Sequence, residues 1–343
     1  MPGLPSPASS RSGAPRVLHV NDAASTTHQL LREAQARGLP WRYLPLAASG
    51  RTWAGPLGAA RKAAAGAPWL ARLALGAARA DLLHVHGGTV VQHTRLVPRR
   101  YVLHLHGTDV RSHQYDPRWT DVVRTGMARA EAVVYSTPDL GEHVLPHRPD
   151  ATYFPVPLDL SVLPAWAPTD PPTVLFASRW EAVKGLDDQL ATARALRSLL
   201  PDGVRLAGLD WGPGSGAAAA AGVELLPRRS RTDYLQLLAS ASVVVGQSSG
   251  MLAASELEAV AIGVPVVAAL EPRWYSPADA PAVLVGPVAG PRVHPVVDAV
   301  LTAVADPVVA SAALGGRAWV AAHHDVRDAV DRLELLYAEL LAR

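Results

Sequence analysis

Cysteine is absent from the 343-residue chain. Its absence excludes disulfide bridges, thiolate-ligated zinc and a cysteine nucleophile. A charge excess of one sign is also missing, because 32 lysine and arginine residues stand against 30 acidic residues. Binding of nucleic acid through bulk charge needs a larger basic excess, so no nucleic-acid partner is expected. The Asp-x-Asp spacing that would offer paired carboxylates to a divalent cation does not occur in the sequence.

Long apolar runs are missing as well. The longest candidate, residues 259–270, is broken by Gly263 and Pro265, and it is shorter than the ~20 apolar residues that cross a bilayer. Residues 1–15 are rich in proline, serine and glycine and lack the apolar core of a signal peptide, which predicts a disordered tail. We therefore expect a cytoplasmic protein.

The segment 51–80 combines basic residues and tryptophans and contains no acidic residue. Two interpretations stay open for it. One is an ordinary surface helix, which we prefer, and the other is a basic amphipathic helix in peripheral contact with the inner membrane face. The residues concerned are Arg51, Trp53, Arg61, Lys62, Trp69, Arg72 and Arg79.

Short apolar runs alternate with helical patterns along the whole chain, which is typical of parallel α/β architecture. The length favours two domains, and the pattern restarts after a proline-punctuated connection over 152–164 and a linker over 165–172. We predict two Rossmann-like doubly wound domains facing across a cleft, over 16–165 and 166–324, with a terminal helix over 325–343. The predicted strands are 16–20, 81–86, 100–106, 132–136, 173–178, 204–209, 223–226, 242–247, 264–269 and 282–285.

Two histidine pairs, His84 with His86 and His104 with His106, end neighbouring predicted strands and are each followed by glycine. Residues i and i+2 of a strand point to one face, so the members of each pair share a face. We expect His84 and His104 to be structural and His86 and His106 to contact a ligand at the strand ends. A metal site is disfavoured, because the first member of each pair lies ~7 Å back into the sheet.

The second half contains two cations around a turn that follows a predicted strand, Arg179 and Lys184. A guanidinium and an ammonium on either side of a turn can bind a diphosphate. Further along, a loop of small residues precedes a helix that contains Glu258. Its carboxylate could bind a ribose diol, or it could cap the helix in a Ser255-x-x-Glu258 box.

Six segments occur in the order found in the family 4 retaining glycosyltransferases, and the chain resembles that family over roughly residues 16–343. The family has the GT-B fold of two facing Rossmann-like domains. The matching segments are "HGTD" (106–109), "VVYSTPDLGEHV" (133–144), "FPVPLDLSVLP" (154–164), "SRWEAVKG" (178–185), "AGLDWGP" (207–213) and "ELEAVAIGVPVVA" (256–268).

The resemblance implies a role for each matching residue. Arg179 and Lys184 would hold the donor diphosphate, Glu258 the nucleotide ribose, and His106 would face the donor sugar. Further expected contacts to donor or acceptor are the amides of Gly250, Met251 and Leu252, and the side chains of Asp109, Asn21, Thr26 and His86. The terminal helix would cross back to the first domain.

Two departures from the family pattern stand out. Gly250 occupies the position of the first of two family glutamates, whose carboxylate contacts the donor sugar, so the identity of the donor is open. The loop 21–28 lacks the glycine pair common in the family. Asn21 and Thr26 could still donate hydrogen bonds to the acceptor or to a phosphate.

The resemblance implies sugar transfer from a nucleotide-diphosphate sugar to an acceptor hydroxyl, with retention and without a metal or other cofactor. The acceptor could be a glycan, a lipid-linked molecule or a small molecule, and the sequence does not predict the oligomeric state. Rival interpretations are a nucleotide-sugar epimerase, a non-catalytic nucleotide-sugar-binding protein of the same fold, and a histidine-based metallohydrolase.

Overall fold

The computed structural model describes residues 13–46, 58–276, 280–285 and 293–343. It divides into two compact units. Unit 1 comprises the residues up to Ser136, Leu140–Pro157 and Val326–Arg343, and unit 2 comprises Thr137–Asp139 and Leu158–Asp325. Most of the predicted tail, residues 1–12, lies outside the described residues.

Unit 1 contains one parallel sheet of six strands in the order β2-β1-β3-β4-β5-β6. Strands β1, β3 and β4 are buried along their whole length, as their near-continuous apolar sequences predict. The elements are β1 Val17–Val20, α1 Thr26–Ala36, β2 Trp41–Leu44, α2 Gly58–Arg79, β3 Leu82–His86, β4 Tyr101–Leu105, α3 Thr108–Arg111, α4 Thr120–Arg129, β5 Ala132–Tyr135, α5 Gly141–Val144 and β6 Thr152–Tyr153.

Unit 2 contains a second parallel sheet of six strands, in the order β12-β11-β10-β7-β8-β9. The strand order changes direction between β7 and β10, as in a doubly wound Rossmann sheet. The elements are β7 Thr173–Phe176, α6 Leu186–Leu199, β8 Arg205–Leu209, α7 Ser215–Ala220, β9 Glu224–Leu226, α8 Arg231–Ser240, β10 Val243–Val245, α9 Ala254–Ile262, β11 Val266–Ala268, β12 Leu284–Val285, α10 Val293–Ala305, α11 Pro307–Leu314 and α12 Gly316–His323.

The last helix, α13 Val326–Ala342, packs within unit 1. Its predicted apolar face is confirmed, since Val326, Val330, Leu333 and Tyr337 are buried against β1 and α1 residues such as Leu30. The chain reaches unit 1 again only after the whole of unit 2, so this helix adds a contact of long sequence separation to the core of unit 1.

Two strands of unit 1 are absent from the sequence prediction. The first is β2, and the second is β6, a two-residue strand within the segment predicted as a proline-punctuated connection. Both lie at the edges of the sheet. Their pairing to β1 and β5 defines them more than their own composition does.

The predicted basic segment 51–80 is only partly visible, because Arg51 and Trp53 lie outside the described residues. Helix α2 covers its second part. There Trp69 is buried and donates its indole N–H to the Pro45 carbonyl at 2.6 Å. Trp69 therefore belongs to the core and is not available to a membrane surface.

Among the described residues, no single helix is both long and apolar enough to cross a bilayer. Residues Pro295–Ala305 and Pro307–His323 reach that length and composition only together, and they are bent by 111°.

Candidate functional site

The carboxyl ends of β7 and β10 form the switch point of the unit 2 sheet, where open α/β sheets bind ligands. The loop after β7 carries Arg179 and Lys184, and the loop after β10 runs from Gly246 to Ala253. The two cations predicted from sequence therefore lie on the loop that a Rossmann sheet uses for ligand contact.

Trp180 anchors the loop after β7. Its side chain is fully buried and donates its indole N–H to the Leu209 carbonyl at 3.0 Å. Its backbone bonds the adjacent loop on both sides, donating to Trp211 and accepting from Gly214, each at 2.9 Å. Gly214 belongs to the glycine-rich stretch 212–216, which the structure shows to be packed against this anchor. A sequence signal for this anchoring role did exist, because Trp180 is a large aromatic residue between the expected ligand-binding residues Arg179 and Lys184.

Backbone contacts hold the loops after β7 and β10 together. The Ser248 amide donates to the Lys184 carbonyl at 3.0 Å, and the Gln189 side chain donates to the same carbonyl at 2.6 Å. Gly185 has a φ of +73°, and a Cβ there would lie 2.6 Å from the Ser248 carbonyl oxygen. Only glycine fits this approach, so the conformation of the Lys184 turn is fixed by its neighbours.

Arg179 lies against an exposed indole. Its guanidinium is 5.2 Å from the ring centre of Trp211 and 2.6 Å from the Glu181 carboxylate. Arg228 covers Trp211 as well, at 4.9 Å. Stacking on an aromatic ring orients a guanidinium without neutralising it. No local sequence pattern indicated Trp211 or Arg228, because they follow other strands of the sheet.

Glu258 lies on α9 and is fully buried. Both of its oxygens accept from Arg231, one at 2.7 Å and the other in a shorter contact. Burial raises the pKa of Glu258, while the hydrogen bonds and charge of Arg231 act in the opposite direction. Arg231 opens helix α8 and remains partly exposed. The sequence offered no signal for this partner, because Arg231 is distant from Glu258 along the chain.

The capping role considered for Glu258 is wrong. Helix α9 begins at Ala254, one residue before Ser255, and the carboxylate that caps it belongs to Glu256. Glu256 accepts from the Ala253 amide at 3.1 Å and from the Gln247 amide at 2.9 Å. Glu256 thereby also fixes the start of the loop after β10. Glu258 is left with its side chain directed to Arg231.

Gly250 has no space for a side chain. Its φ is +89°, and a Cβ there would lie 2.8 Å from the Trp274 ring and 3.1 Å from the Glu271 Cβ. The Glu271 amide also donates to the Gly250 carbonyl at 2.8 Å. The loop after β11 therefore fills the volume into which the missing family glutamate would extend.

Two buried polar atoms of the loop after β10 lack a hydrogen-bond partner within the described part of the chain. They are Oε1 of Gln247 and Oγ of Ser249. The Gln247 amide nitrogen is fixed by the Met251 carbonyl at 2.9 Å, so its oxygen cannot turn away without breaking that bond. The predicted Leu252 amide, in contrast, already donates to the Tyr275 hydroxyl at 2.8 Å.

In unit 1 the loop after β1 adopts left-handed backbone conformations without glycine. The φ values are +72° at Asn21, +51° at Ala24 and +61° at Ser25. Asn21 donates its amide to the His86 carbonyl at 2.7 Å. The buried Thr26 hydroxyl has no hydrogen-bond partner among residues that the structure describes. The conformation that glycine would favour is thus retained at a cost of order 1–2 kcal/mol for a residue with a Cβ.

Asp109 organises backbone and has little capacity left for a ligand. Its carboxylate accepts from the amides of Gly88 and His106 at 3.1 Å, of Gly107 at 2.8 Å and of Val110 at 3.1 Å. The carboxylate connects the ends of β3 and β4. We assign Asp109 the role of holding the His106 turn.

Five histidines of unit 1 stack on one face of its sheet. As predicted, the members of each pair share a face, with ring centres 4.4 Å apart for His84 and His86 and 4.1 Å for His104 and His106. His19 of β1 extends the stack and lies 4.9 Å from His84. His19 was not among the predicted site residues, although its strand is paired to β3 in register with His84.

The five imidazoles form two hydrogen-bonded chains. In the first, His86 lies between His19 at 3.1 Å and His106 at 3.0 Å. In the second, His84 lies between His104 at 3.3 Å and the Tyr337 hydroxyl of α13. His86 is fully buried, so the direct ligand contact expected of it is not available at the surface. His106 is half-buried and remains the candidate for such a contact.

Burial keeps these histidines neutral. It lowers the pKa of His19 to about 3 and that of His106 to about 4, where Asp109 and Asp22 partly oppose the effect of burial. For His84, His86 and His104 burial, together with the neighbouring imidazoles, lowers the pKa well below its usual range. Each ring therefore offers one donor and one acceptor.

Comparison with known proteins identifies the fold. No model of a protein family and no curated protein sequence matches the chain. Among solved structures, Anabaena HepE in complex with UDP and glucose is 14% identical, with a TM-score of 0.67 over 94% of this chain and 99% of that one. A UDP-forming trehalose-phosphate synthase from Burkholderia xenovorans is 13% identical, with a TM-score of 0.66 over 96% and 99%.

A third similar structure is a variant of S. aureus TarM in complex with UDP and α-GlcNAc-glycerol, among other ligands. It is 15% identical, with a TM-score of 0.59 over 76% of this chain and 55% of that one. Together with the two parallel sheets, these matches confirm the predicted α/β fold class, GT-B, with two Rossmann-like domains. At such identities the likeness establishes the fold alone.

Proposed function

We propose that the chain is a glycosyltransferase that moves a sugar from a nucleoside-diphosphate sugar to an acceptor hydroxyl, with unit 2 binding the donor. The observation that carries this proposal is the placement of Arg179 and Lys184 at the switch point between β7 and β10. Structures of the same fold contain UDP or UDP-glucose, so uridine donors are the first to test.

Arg179 and Lys184 would supply the positive charge in this reaction. When the nucleoside diphosphate leaves, negative charge grows on its phosphates while the anomeric carbon becomes cationic. Trp180 and Gly185 hold the backbone of the turn that carries both cations in place. Arg179 would exchange its ion pair with Glu181 for the phosphate oxygens. The start of α9 would add backbone N–H donors. We propose that these groups make a metal ion unnecessary for the transfer.

The sugar would lie against the loop after β10. Oε1 of Gln247 can accept from a sugar hydroxyl, and Oγ of Ser249 can donate or accept. These two atoms are buried and have no partner within the described segments, so a bound hydroxyl would satisfy them. They would supply the hydrogen bonds for which the family uses the glutamate replaced by Gly250.

Glu258 would bind the ribose in concert with Arg231. Both of its oxygens accept hydrogen bonds from Arg231, so a ribose diol would share them with the guanidinium or displace it. Retention of configuration is part of the proposal through the family resemblance. The leaving phosphate would accept the proton of the acceptor hydroxyl, so that no dedicated base is required.

The proposal is tested first with a thermal-shift panel of UDP-, GDP- and ADP-sugars and then with turnover of the donor that binds. Removing one preorganised charge lowers rates by about 10²–10³-fold, so Arg179→Ala and Lys184→Ala should each lose transfer by that factor. Arg194→Ala, an exposed arginine on α6, is the matched control and should leave the rate unchanged.

Three outcomes would count against the proposal. Near-wild-type transfer by both Arg179→Ala and Lys184→Ala would mean that neither cation takes part in the transfer. Incubation with donor alone separates the rivals: an epimer as product indicates an epimerase, and binding without turnover on any acceptor class indicates a nucleotide-sugar-binding protein.

A further inference from the structure

One ring nitrogen from each of His86, His104 and His106 lies within 4.8 Å of the other two. His86 and His104 are fully buried, and His106 is half-buried at the end of β4. The stacking of the pairs brings these nitrogens together. We expected the first histidine of each pair to lie too far back in the sheet to join a common site. For His104 this expectation is wrong, because its nitrogen lies within reach of the other two.

We propose that His86, His104 and His106 form a binding site for a single divalent transition-metal ion at the carboxyl end of the unit 1 sheet. The ligand atoms are Nδ1 of His86, Nε2 of His104 and Nε2 of His106. The site goes beyond sugar transfer and does not depend on it.

The unpartnered nitrogen of His104 is the second observation that points to a ligand. Its Nδ1 faces His84 at 3.3 Å, while its Nε2 is buried and has no hydrogen-bond partner among the described residues. Buried polar atoms are rarely left in this state. A metal ion bound to Nε2 would satisfy it.

The protons of the cluster can be placed consistently around the ion. His104 would donate from Nδ1 to His84, and His84 from its own Nδ1 to the Tyr337 hydroxyl. His86 would donate from Nε2 to His19 at 3.1 Å. Both buried ligands thus donate their other ring N–H to a neighbour, the support that metal-ligating histidines usually have. No proton is released, because neutral imidazoles bind the ion.

The spacing of one pair of ligand atoms is already close to what the ion needs. Nδ1 of His86 and Nε2 of His106 are 3.0 Å apart, and two nitrogens each ~2.0–2.1 Å from a tetrahedral ion lie a few tenths of an ångström further apart. Binding would replace this hydrogen bond with small movements of these two rings. The His104 nitrogen, which lies within 4.8 Å of the other two, would move toward the ion. His106 provides the entry path, since it is the only half-buried member of this set and the other two are fully buried.

The donor set selects the class of metal. Three imidazoles and no carboxylate suit Zn²⁺, Cu²⁺ or Ni²⁺ and disfavour Mg²⁺ and Ca²⁺. Asp109 lies on the same turn as His106, but its oxygens accept from backbone amides. The fully buried set His19, His84 and His86 is the weaker alternative, because both nitrogens of His84 are hydrogen-bonded to groups outside that set, Tyr337 and His104. The Nδ1 bond of His86, in contrast, is made to His106, which is itself a proposed ligand.

The test is titration of the untagged, chelator-treated protein with Zn²⁺ and with Co²⁺, in the absence of any nucleotide sugar. We expect one equivalent of Zn²⁺ by calorimetry and a visible absorption of tetrahedral Co²⁺. His106→Ala should abolish both signals. His84→Gln, which removes support from His104, should weaken binding by about 10–100-fold.

His147→Ala is the control, because His147 is an exposed histidine of the same unit, and it should bind as the wild type does. Circular dichroism of each variant establishes that it is folded, and His106→Asn replaces His106→Ala if the latter is not. Absence of binding by the wild type, or undiminished binding by a folded His106 variant, overturns the proposal. Loss of sugar transfer alone says nothing about it, because the titration contains no donor.

Discussion

At the scale of single residues, Gly250 in unit 2 occupies a position where the family pattern has a glutamate but the structure leaves no space for a side chain. Gly250 replaces a glutamate, and the sequence leaves open whether the carboxylate is merely lost. The backbone there has a φ of +89°, and Trp274 lies where a Cβ would extend. The glycine at this position therefore accompanies a loop after β11 that occupies the space of a side chain. In the proposed function, Gln247 and Ser249 would contact the sugar instead.

Gly250→Glu should consequently not restore a family-like site. A residue with a Cβ at this φ costs ~1–2 kcal/mol, and displacing the Trp274 ring adds a further ~1–3 kcal/mol. We expect urea unfolding to show a loss of about 2–5 kcal/mol, together with lower transfer. Gly216→Ala is the control, since a Cβ at Gly216 meets nothing within 4 Å. A stable and more active Gly250→Glu variant would contradict this account.

At the scale of elements, helix α13 has two leucines two residues apart that face opposite environments. Leu333 is fully buried in the core of unit 1, while Leu335 is 65% exposed. The buried face includes Val330 and Tyr337. Because the helix returns to unit 1 after the whole of unit 2, its packing must hold this part of the fold together without a short chain connection.

Leu333→Ala should destabilise unit 1 by about 2–5 kcal/mol, the range for a buried leucine whose removal leaves a cavity. Leu335→Ala provides the matched control and should change the free energy of unfolding by no more than ~0.5 kcal/mol. Chemical denaturation followed by circular dichroism measures both. Equal effects of the two substitutions would mean that α13 does not pack as described.

At the scale of the whole molecule, two sheets of related plan carry different side chains at their carboxyl ends. The unit 2 sheet ends in the cations Arg179 and Lys184, whereas the unit 1 sheet ends in neutral histidines. An anionic nucleotide is therefore expected to bind unit 2. Both sheets have a switch point, so this expectation rests on the difference in charge between the two sites.

Binding of UDP at ~100 times its Kd should stabilise the folded donor unit by about 2.7 kcal/mol. Hydrogen exchange should accordingly slow most in the loops 178–185 and 247–252. The Lys184→Ala variant should show little protection at the same UDP concentration. Protection confined to unit 1 would contradict the assignment of unit 2 as the donor-binding unit.

The candidate site could be predicted from sequence only in part. Arg179 and Lys184 were predicted from a local pattern, a strand followed by a turn, and the structure places them on the loop at the switch point. The partners that shape the site were not predictable in this way. Arg231 meets Glu258, and Trp274 meets Gly250, through folding that brings together residues of different strands and loops.

The sequence by itself determined the parallel α/β plan, the positions of most strands along the chain, the shared faces of the histidine pairs and the apolar face of the last helix. Those features depend on the periodicity of neighbouring residues, which the chain carries locally. Only the tertiary structure decided that β2 and β6 pair as edge strands, that His19 and Tyr337 complete the histidine cluster, and that Glu256 rather than Glu258 caps α9. Each of these depends on which distant residues come within hydrogen-bonding or packing distance, and no local pattern specifies that.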